Sequence, residues 1–174
     1  MSAQVLKVQP LTRTAFAPFG QVIETKGVQP YRINRGTTAR FDDLARLELA
    51  QDGGTPLVSI FRGQPFVPPV AIRMVERHPL GSQAFMPLSG RPYMVVVAPA
   101  QGDGRPGAPL AFLARGDQGV NYSRGTWHHP LLALEGESDF LVIDRGGSGD
   151  GSDDNLEEHS YPGEGFVVEE IWTL

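Results

Sequence analysis

Glycine and proline interrupt this chain so often that long elements have little room: it carries 21 glycines and 15 prolines among 174 residues. Proline lacks the amide hydrogen that helix interiors and central strands need, and glycine weakens a helix. Such punctuation suits many short strands joined by turns and works against a helical bundle. The apolar runs lie between the breaks. Leu57–Arg62, Ala111–Ala114, Leu131–Leu134 and Phe140–Ile143 read as strands, and Val70–His78 alternates well enough to be one. Tyr93–Ala98 is apolar throughout, the pattern of a strand covered on both faces. With weaker strands at Gln4–Val8, Gln21–Glu24 and Gly165–Ile171, the expectation is one all-β domain built as a sandwich or barrel. Helix is confined to a short turn that Thr12 caps and Phe16 ends, and to Phe41–Ala50, where Phe41, Leu44, Ala45 and Leu47 fall near helical spacing. Gly146–Asn155, rich in Gly, Ser and Asp, reads as a flexible loop.

Several function classes drop out at once. There is no cysteine, which excludes disulfides, thiolate catalysis and cysteine-ligated zinc or iron–sulfur centres. No basic segment leads into an apolar one at the start, and no apolar run approaches the roughly 18 residues of a membrane span. A cytoplasmic protein without a membrane partner is expected. The net charge of −5 argues against a nucleic-acid partner. That charge is unevenly spread: from Glu135 onward there are 12 acidic residues and one basic, against 8 acidic and 14 basic before it. An arginine pointing into a pocket would let the basic part hold a small anion; otherwise the acidic part is a solvated face.

Two segments concentrate polar side chains inside strand-like surroundings: Glu76–Phe85, and Gly119–Pro130 some forty residues later. Together they hold three of the four histidines, His78, His128 and His129. On a strand, residues two apart share a face, so Glu76 and His78 point the same way and Gln83 can swing back toward them after the Pro79–Ser82 turn. His128 and His129 must face opposite sides of a regular strand, and His128 is placed inside. Two such strands facing each other across a small barrel make one pocket. Asp144-Arg145 reads as a strand-end salt bridge, and His159, between Glu158 and Ser160, as a solvated loop residue.

Glu76-x-His78-x4-Gln83 followed by Gly125-x2-His128 resembles a degenerate pair of cupin motifs. More narrowly, His78–Phe85, Gly119–Tyr122, Trp127–Leu131 and Asp139–Gly147 resemble the ureidoglycolate lyase family, with weaker matches at Phe16–Gly20 and at Ile33, Asn34 and Gly36. The resemblance implies a compact cupin-like barrel or jelly roll with a few short helices, forming a homodimer. It also implies a reaction that splits (S)-ureidoglycolate into glyoxylate and urea; an older description of the family is a hydrolase releasing ammonia. A sensor that binds a small acid without turnover and a metal-dependent oxygenase are the readings from other classes.

The lyase chemistry needs a base near the substrate hydroxyl, an acid near the departing nitrogen and a cation for the carboxylate, and it needs no nucleophilic serine. His78 and His128 are the proton-transfer pair or, with a metal, its ligands; Glu76 and Gln83 orient the substrate or complete the coordination. Nickel is the metal the resemblance suggests, although glutamine is a poor transition-metal ligand, and a site that works without a metal is the alternative. Phe61-Arg62-Gly63-Gln64-Pro65 resembles the family and makes Arg62 the carboxylate cation, while Asn121 and Tyr122 hydrogen-bond the ureido group. Ser123 stands where the family pattern has histidine.

Overall fold

The computed structural model describes residues 2–147 and 155–171, so most of the Gly146–Asn155 loop lies outside the described residues. The fold is all-β and cupin-like, built on two facing sheets. One has five antiparallel strands in the order Gly20–Ile23, Gly119–Tyr122, Gln83–Pro87, Ser138–Gly146 and Thr55–Gly63. The other runs Glu157–Ser160, Met74–Arg77, Trp127–His128, Tyr93–Ala98, Leu110–Ala114 and Val8–Pro10, with Leu132–Ala133 also pairing to Tyr93–Ala98. A small third sheet, Gln4–Val5, Phe166–Val168 and Val70–Ile72, covers the outside of the second.

That layering explains the unbroken apolar run. Tyr93, Val95 and Val97 face the five-stranded sheet and join Phe16, Phe85, Phe112 and Phe140, whereas Met94 and Val96 face Val70, Ile72 and Val168. The Tyr93 and Phe140 rings meet edge to face at 5.0 Å. Each such side chain removed from water contributes about 1.5–3 kcal/mol, so these rings clamp the two sheets together. The expected helix turn is present at Arg13–Phe16, with the Thr12 hydroxyl accepting from the Ala15 amide at 3.2 Å. Among the described residues, no helix is long and apolar enough to cross a membrane.

Phe41–Ala50 is not a helix; it crosses the outer face of the five-stranded sheet without regular structure. Asp43 sits at φ 53, outside helical geometry, and remote side chains satisfy the backbone instead. Asn121 Nδ2 donates to Arg46 O at 3.0 Å, and the Glu48 amide donates to Ser82 Oγ at 2.8 Å. Once those groups are paired, the intrahelical bonds are not needed. Val70–His78 is two strands, with Arg73 at the break, because its halves belong to different sheets. The polar hairpin Tyr31–Ile33/Thr38–Arg40 and the strand Glu157–Ser160 have no apolar alternation to announce them. The second of these places His159 in regular structure, edge-on to Trp127 at 6.2 Å, rather than in a loop.

Candidate active site

Register decides which polar groups turn inward. Val97 lies opposite His128, and His128 opposite Glu76, so both polar residues share the face of the Tyr93–Val97 core side chains. Trp127, opposite Ala98, turns outward, where its indole donates to Gly104 O at 3.0 Å. On the facing sheet Tyr122 lies opposite Gln83. Between the sheets is a cavity of about 520 Å³ whose walls include Glu76, Gln83, Tyr122, His128 and His129.

Backbone carbonyls set the histidine tautomers. His128 Nδ1 donates to Thr126 O at 2.9 Å and His78 Nδ1 to Asn155 O at 2.7 Å, which leaves each neutral ring with a lone pair on Nε2. Both Nε2 atoms are buried without a partner among the described residues. They converge on Glu76: Oε1 is 3.6 Å from His128 Nε2 and 4.0 Å from His78 Nε2. The three groups lie within 4.8 Å of one another, and among the described residues they are the one cluster arranged to hold a metal ion. Burial pushes the Glu76 carboxyl upward, but the hydrogen bonding and charge of His128 in its protonated form, with the charges of protonated His78 and His129, outweigh it and keep the group below its ordinary value.

Neighbouring contacts hold this cluster in place. The His128 ring stacks on Tyr122 at 4.1 Å and 10°. Burial, then the charge of Glu76, raises the Tyr122 phenol, so it stays a neutral donor. Asn155 accepts from His78 and, through Oδ1, from the Leu80 amide at 2.8 Å, clamping the His-Pro-Leu turn. Gly125, at φ 75, turns the chain so that its amide donates to His78 O at 2.9 Å, tying the two polar segments together. Sequence reading gave Asn155 to a loop and had no signal for its role.

The structure gathers Glu76, His78, Gln83, Tyr122 and His128. His129 also lines the cavity, although alternation would send it outward. The strand ends at His128 and Pro130 bends the chain, so the period of two no longer applies; the warning was the proline itself. Burial lowers the His129 imidazole, and its Nδ1 bond to Pro130 O, at 2.9 Å, partly opposes that. Arg62 stands at the rim, 61% exposed, with Nε and Nη2 both on Asp139, which leaves Nη1 free of any partner among the described residues.

Asn121 is not brought to the cavity. It lies on the opposite face of its strand from Tyr122, and its Nδ2 is taken by Gln21 Oε1 and Arg46 O. Ser123 lies beyond the strand end and lines a separate shallow hollow with Arg124 and Trp127. A second cavity of about 520 Å³, walled by Phe66, Val67, Pro92 and Leu113, is mainly apolar. Of the charged residues on its wall, Arg115 is already bonded to Glu24 and Asp117, which leaves Glu135 as the one charged side chain there without a partner among the described residues.

The profile of the ureidoglycolate lyase family matches residues 3–169. A ureidoglycolate lyase of Brucella melitensis is 57% identical over 173 residues, 99% of each chain. Another of that name, from Burkholderia mallei, is 57% identical over 159 residues, 91% of each chain. Among solved structures, a 3,4-ketoisomerase from Helicobacter canadensis superposes with a TM-score of 0.41 and 14% identity, over 79% of this chain and 88% of its own, too loosely to bear on function. With the family pattern running through almost its whole length, the chain belongs to the ureidoglycolate lyase family.

Proposed function

We propose that this chain is a single-domain cytoplasmic enzyme that cleaves (S)-ureidoglycolate to glyoxylate and urea. One observation supports the reading most: two imidazoles with fixed tautomers turn Nε2 lone pairs, unpartnered among the described residues, toward one carboxylate on the wall of the cavity between the sheets, in a chain 57% identical over 99% of its length to a ureidoglycolate lyase. The substrate carbon carries a hydroxyl, a carboxylate and a ureido nitrogen. One imidazole of the pair takes the hydroxyl proton; the oxygen's electron pair closes the C=O of glyoxylate as the C–N bond breaks. The ureido nitrogen leaves with the C–N bonding pair and receives its proton from an imidazolium of the same pair, whose charge Glu76 stabilises. Protons and electrons balance, and no water is consumed. The Tyr122 hydroxyl donates to the ureido carbonyl, and Arg62 Nη1 meets the substrate carboxylate at the rim.

The donor set also fits a divalent metal such as nickel, because both orphaned Nε2 atoms and Glu76 Oε1 are available on one small volume. Glu76, His78 and His128 would hold it. When bound, it supplies a Lewis acid that makes the hydroxyl more acidic.

Two copies associate through the strand Thr55–Gly63, whose outer edge is unpaired and which exposes Val58 at 70% and Ile60 at 55%. Incubating the purified protein with (S)-ureidoglycolate and measuring products tests the reaction: urea and glyoxylate form one to one. Ammonia as the main nitrogen product would make the enzyme an amidohydrolase, and no turnover of either enantiomer would remove catalysis altogether.

A further inference from the structure

Resting on that reading, we propose that Asp144 is a positioning residue: it fixes Gln83 as a hydrogen-bond acceptor facing the cavity, where Gln83 Oε1 receives the terminal N–H of the ureido group. The pocket therefore holds its substrate with the urea end innermost and the carboxylate toward the mouth.

Gln83 is 6% exposed and on the cavity wall. Ala84 pairs with Ile143, so the next position along the ladder sets Gln83 beside Asp144, and Gln83 Nε2 donates to Asp144 Oδ2 at 3.2 Å. An ionised carboxylate only accepts, so the amide must turn its NH₂ toward Asp144. Its oxygen is then left over, and Gln83 Oε1 is buried with no partner among the described residues. Without Asp144 the amide could rotate and offer a donor to the cavity instead. With it, the wall is an acceptor.

The surroundings decide what such an acceptor takes. The same cavity holds the Glu76 carboxylate, and in their neutral tautomers His128 and His78 turn Nε2 lone pairs toward that carboxylate. A substrate carboxylate placed there is repelled by the Glu76 carboxylate and these lone pairs, and the Tyr122 hydroxyl offers it a single donor. A terminal NH₂ brings donor hydrogens to a surface lined with acceptors. At the rim Arg62, although paired with Asp139 and 3.6 Å from Glu137, keeps Nη1 without a partner among the described residues and so offers a donor. The two ends of ureidoglycolate are thereby sorted by polarity, and a ligand that offers only acceptors to the inner end is rejected.

The experiment measures binding of urea and of glyoxylate separately by calorimetry, together with kcat and KM, for the wild type, Gln83→Leu, Asp144→Leu, the double variant and Asp144→Asn. Near-UV circular dichroism and metal content per chain are read on each. Either leucine variant weakens urea binding roughly tenfold while glyoxylate binding moves less than about twofold. The double variant is no worse than Gln83→Leu, because Asp144 acts through the glutamine. Asp144→Asn, which keeps an acceptor for Nε2, recovers most of the loss. Independent losses that multiply in the double variant, or equal weakening of urea and glyoxylate, would overturn the proposal. So would a fall in metal content in Gln83→Leu with urea affinity unchanged, which would make Oε1 a ligand atom. A wild type that binds urea in this Gln83-dependent way without turning over ureidoglycolate would sink the reaction and leave this inference standing; turnover with urea binding indifferent to Gln83 would do the reverse.

Discussion

Replacing His128 with phenylalanine separates what the imidazole does chemically from what it does in packing. The ring is 2% exposed and stacked on Tyr122 at 4.1 Å, and a phenyl group keeps both the stack and most of the volume. The variant loses the Nδ1 bond to Thr126 O and leaves that carbonyl unpaired, at a cost of about 1–3 kcal/mol. It also removes a buried Nε2 that has no partner among the described residues, which returns about 1–2 kcal/mol. The net destabilisation lies between about −1 and +2 kcal/mol, small beside the ~5–15 kcal/mol of an ordinary domain. Catalysis has no such offset. A positioned acid or base accelerates about 10²–10⁴-fold, which at 1.36 kcal/mol per tenfold raises the barrier by about 3–5.5 kcal/mol. Urea released in a stopped assay gives the rate, and chemical denaturation gives the stability. An intact variant within about tenfold of wild-type kcat would make His128 a structural histidine. A variant that loses more than about 4 kcal/mol would show that the ring mainly holds the core.

Other perturbations probe the mouth, the phenol and the outer edge. Arg62→Gln frees Asp139, whose carboxyl the Arg62 guanidinium holds below the ordinary aspartate range by a direct hydrogen bond, so a carbon-detected titration shows that group moving up. In the same variant KM rises several-fold with a smaller change in kcat; an unchanged KM would remove Arg62 from substrate binding. Tyr122→Phe keeps the stack on His128 and loses only the hydroxyl, so kcat/KM falls by about 3–10-fold, and unaltered kinetics would mean that the ring alone matters. Ile60→Lys places a charge on the exposed edge strand and shifts the sedimenting species from dimer to monomer. A mass that does not change would put the subunit contact elsewhere.

What the sequence made legible follows from local periodicity. The apolar strand Tyr93–Ala98 has the bounds read for it, because burial on both faces needs no knowledge of its partners. Glu76 and His78 share a side by the rule of two, and the structure shows both facing His128. The same rule was underused at Asn121: if Tyr122 faces the cavity, its neighbour in a regular strand must face away, and Asn121 instead fastens the segment around Arg46 to the sheet. Phe41–Ala50 failed for a different reason. Its helical spacing is real, but its backbone partners are Asn121 and Ser82, far along the chain, and no local window contains them.

Asp144-Arg145 shows where local reading stops. Two adjacent residues of opposite charge at a strand end suggest one salt bridge, yet neighbours on a strand point to opposite faces and cannot share one. The structure sends Asp144 to Gln83 and turns Arg145 to the Gln51 and Asp52 carbonyls on the other side of the sheet. Periodicity separates the pair, but it does not say which of the two meets the cavity. That depends on Gln83–Pro87 pairing with Ser138–Gly146 in a register that puts Ala84 opposite Ile143, a contact between residues about sixty positions apart. A slip of one residue would bring Arg145 beside Gln83 and turn its amide around, exposing a donor where the substrate meets an acceptor. The chemistry of the inner wall is thus set by strand register, and register is held by the aromatic core: Phe85 meets Phe140 across those same two strands at 6.5 Å. Core packing and ligand preference are in this way one constraint, because the rings that fix the register also decide which side of Gln83 the cavity sees.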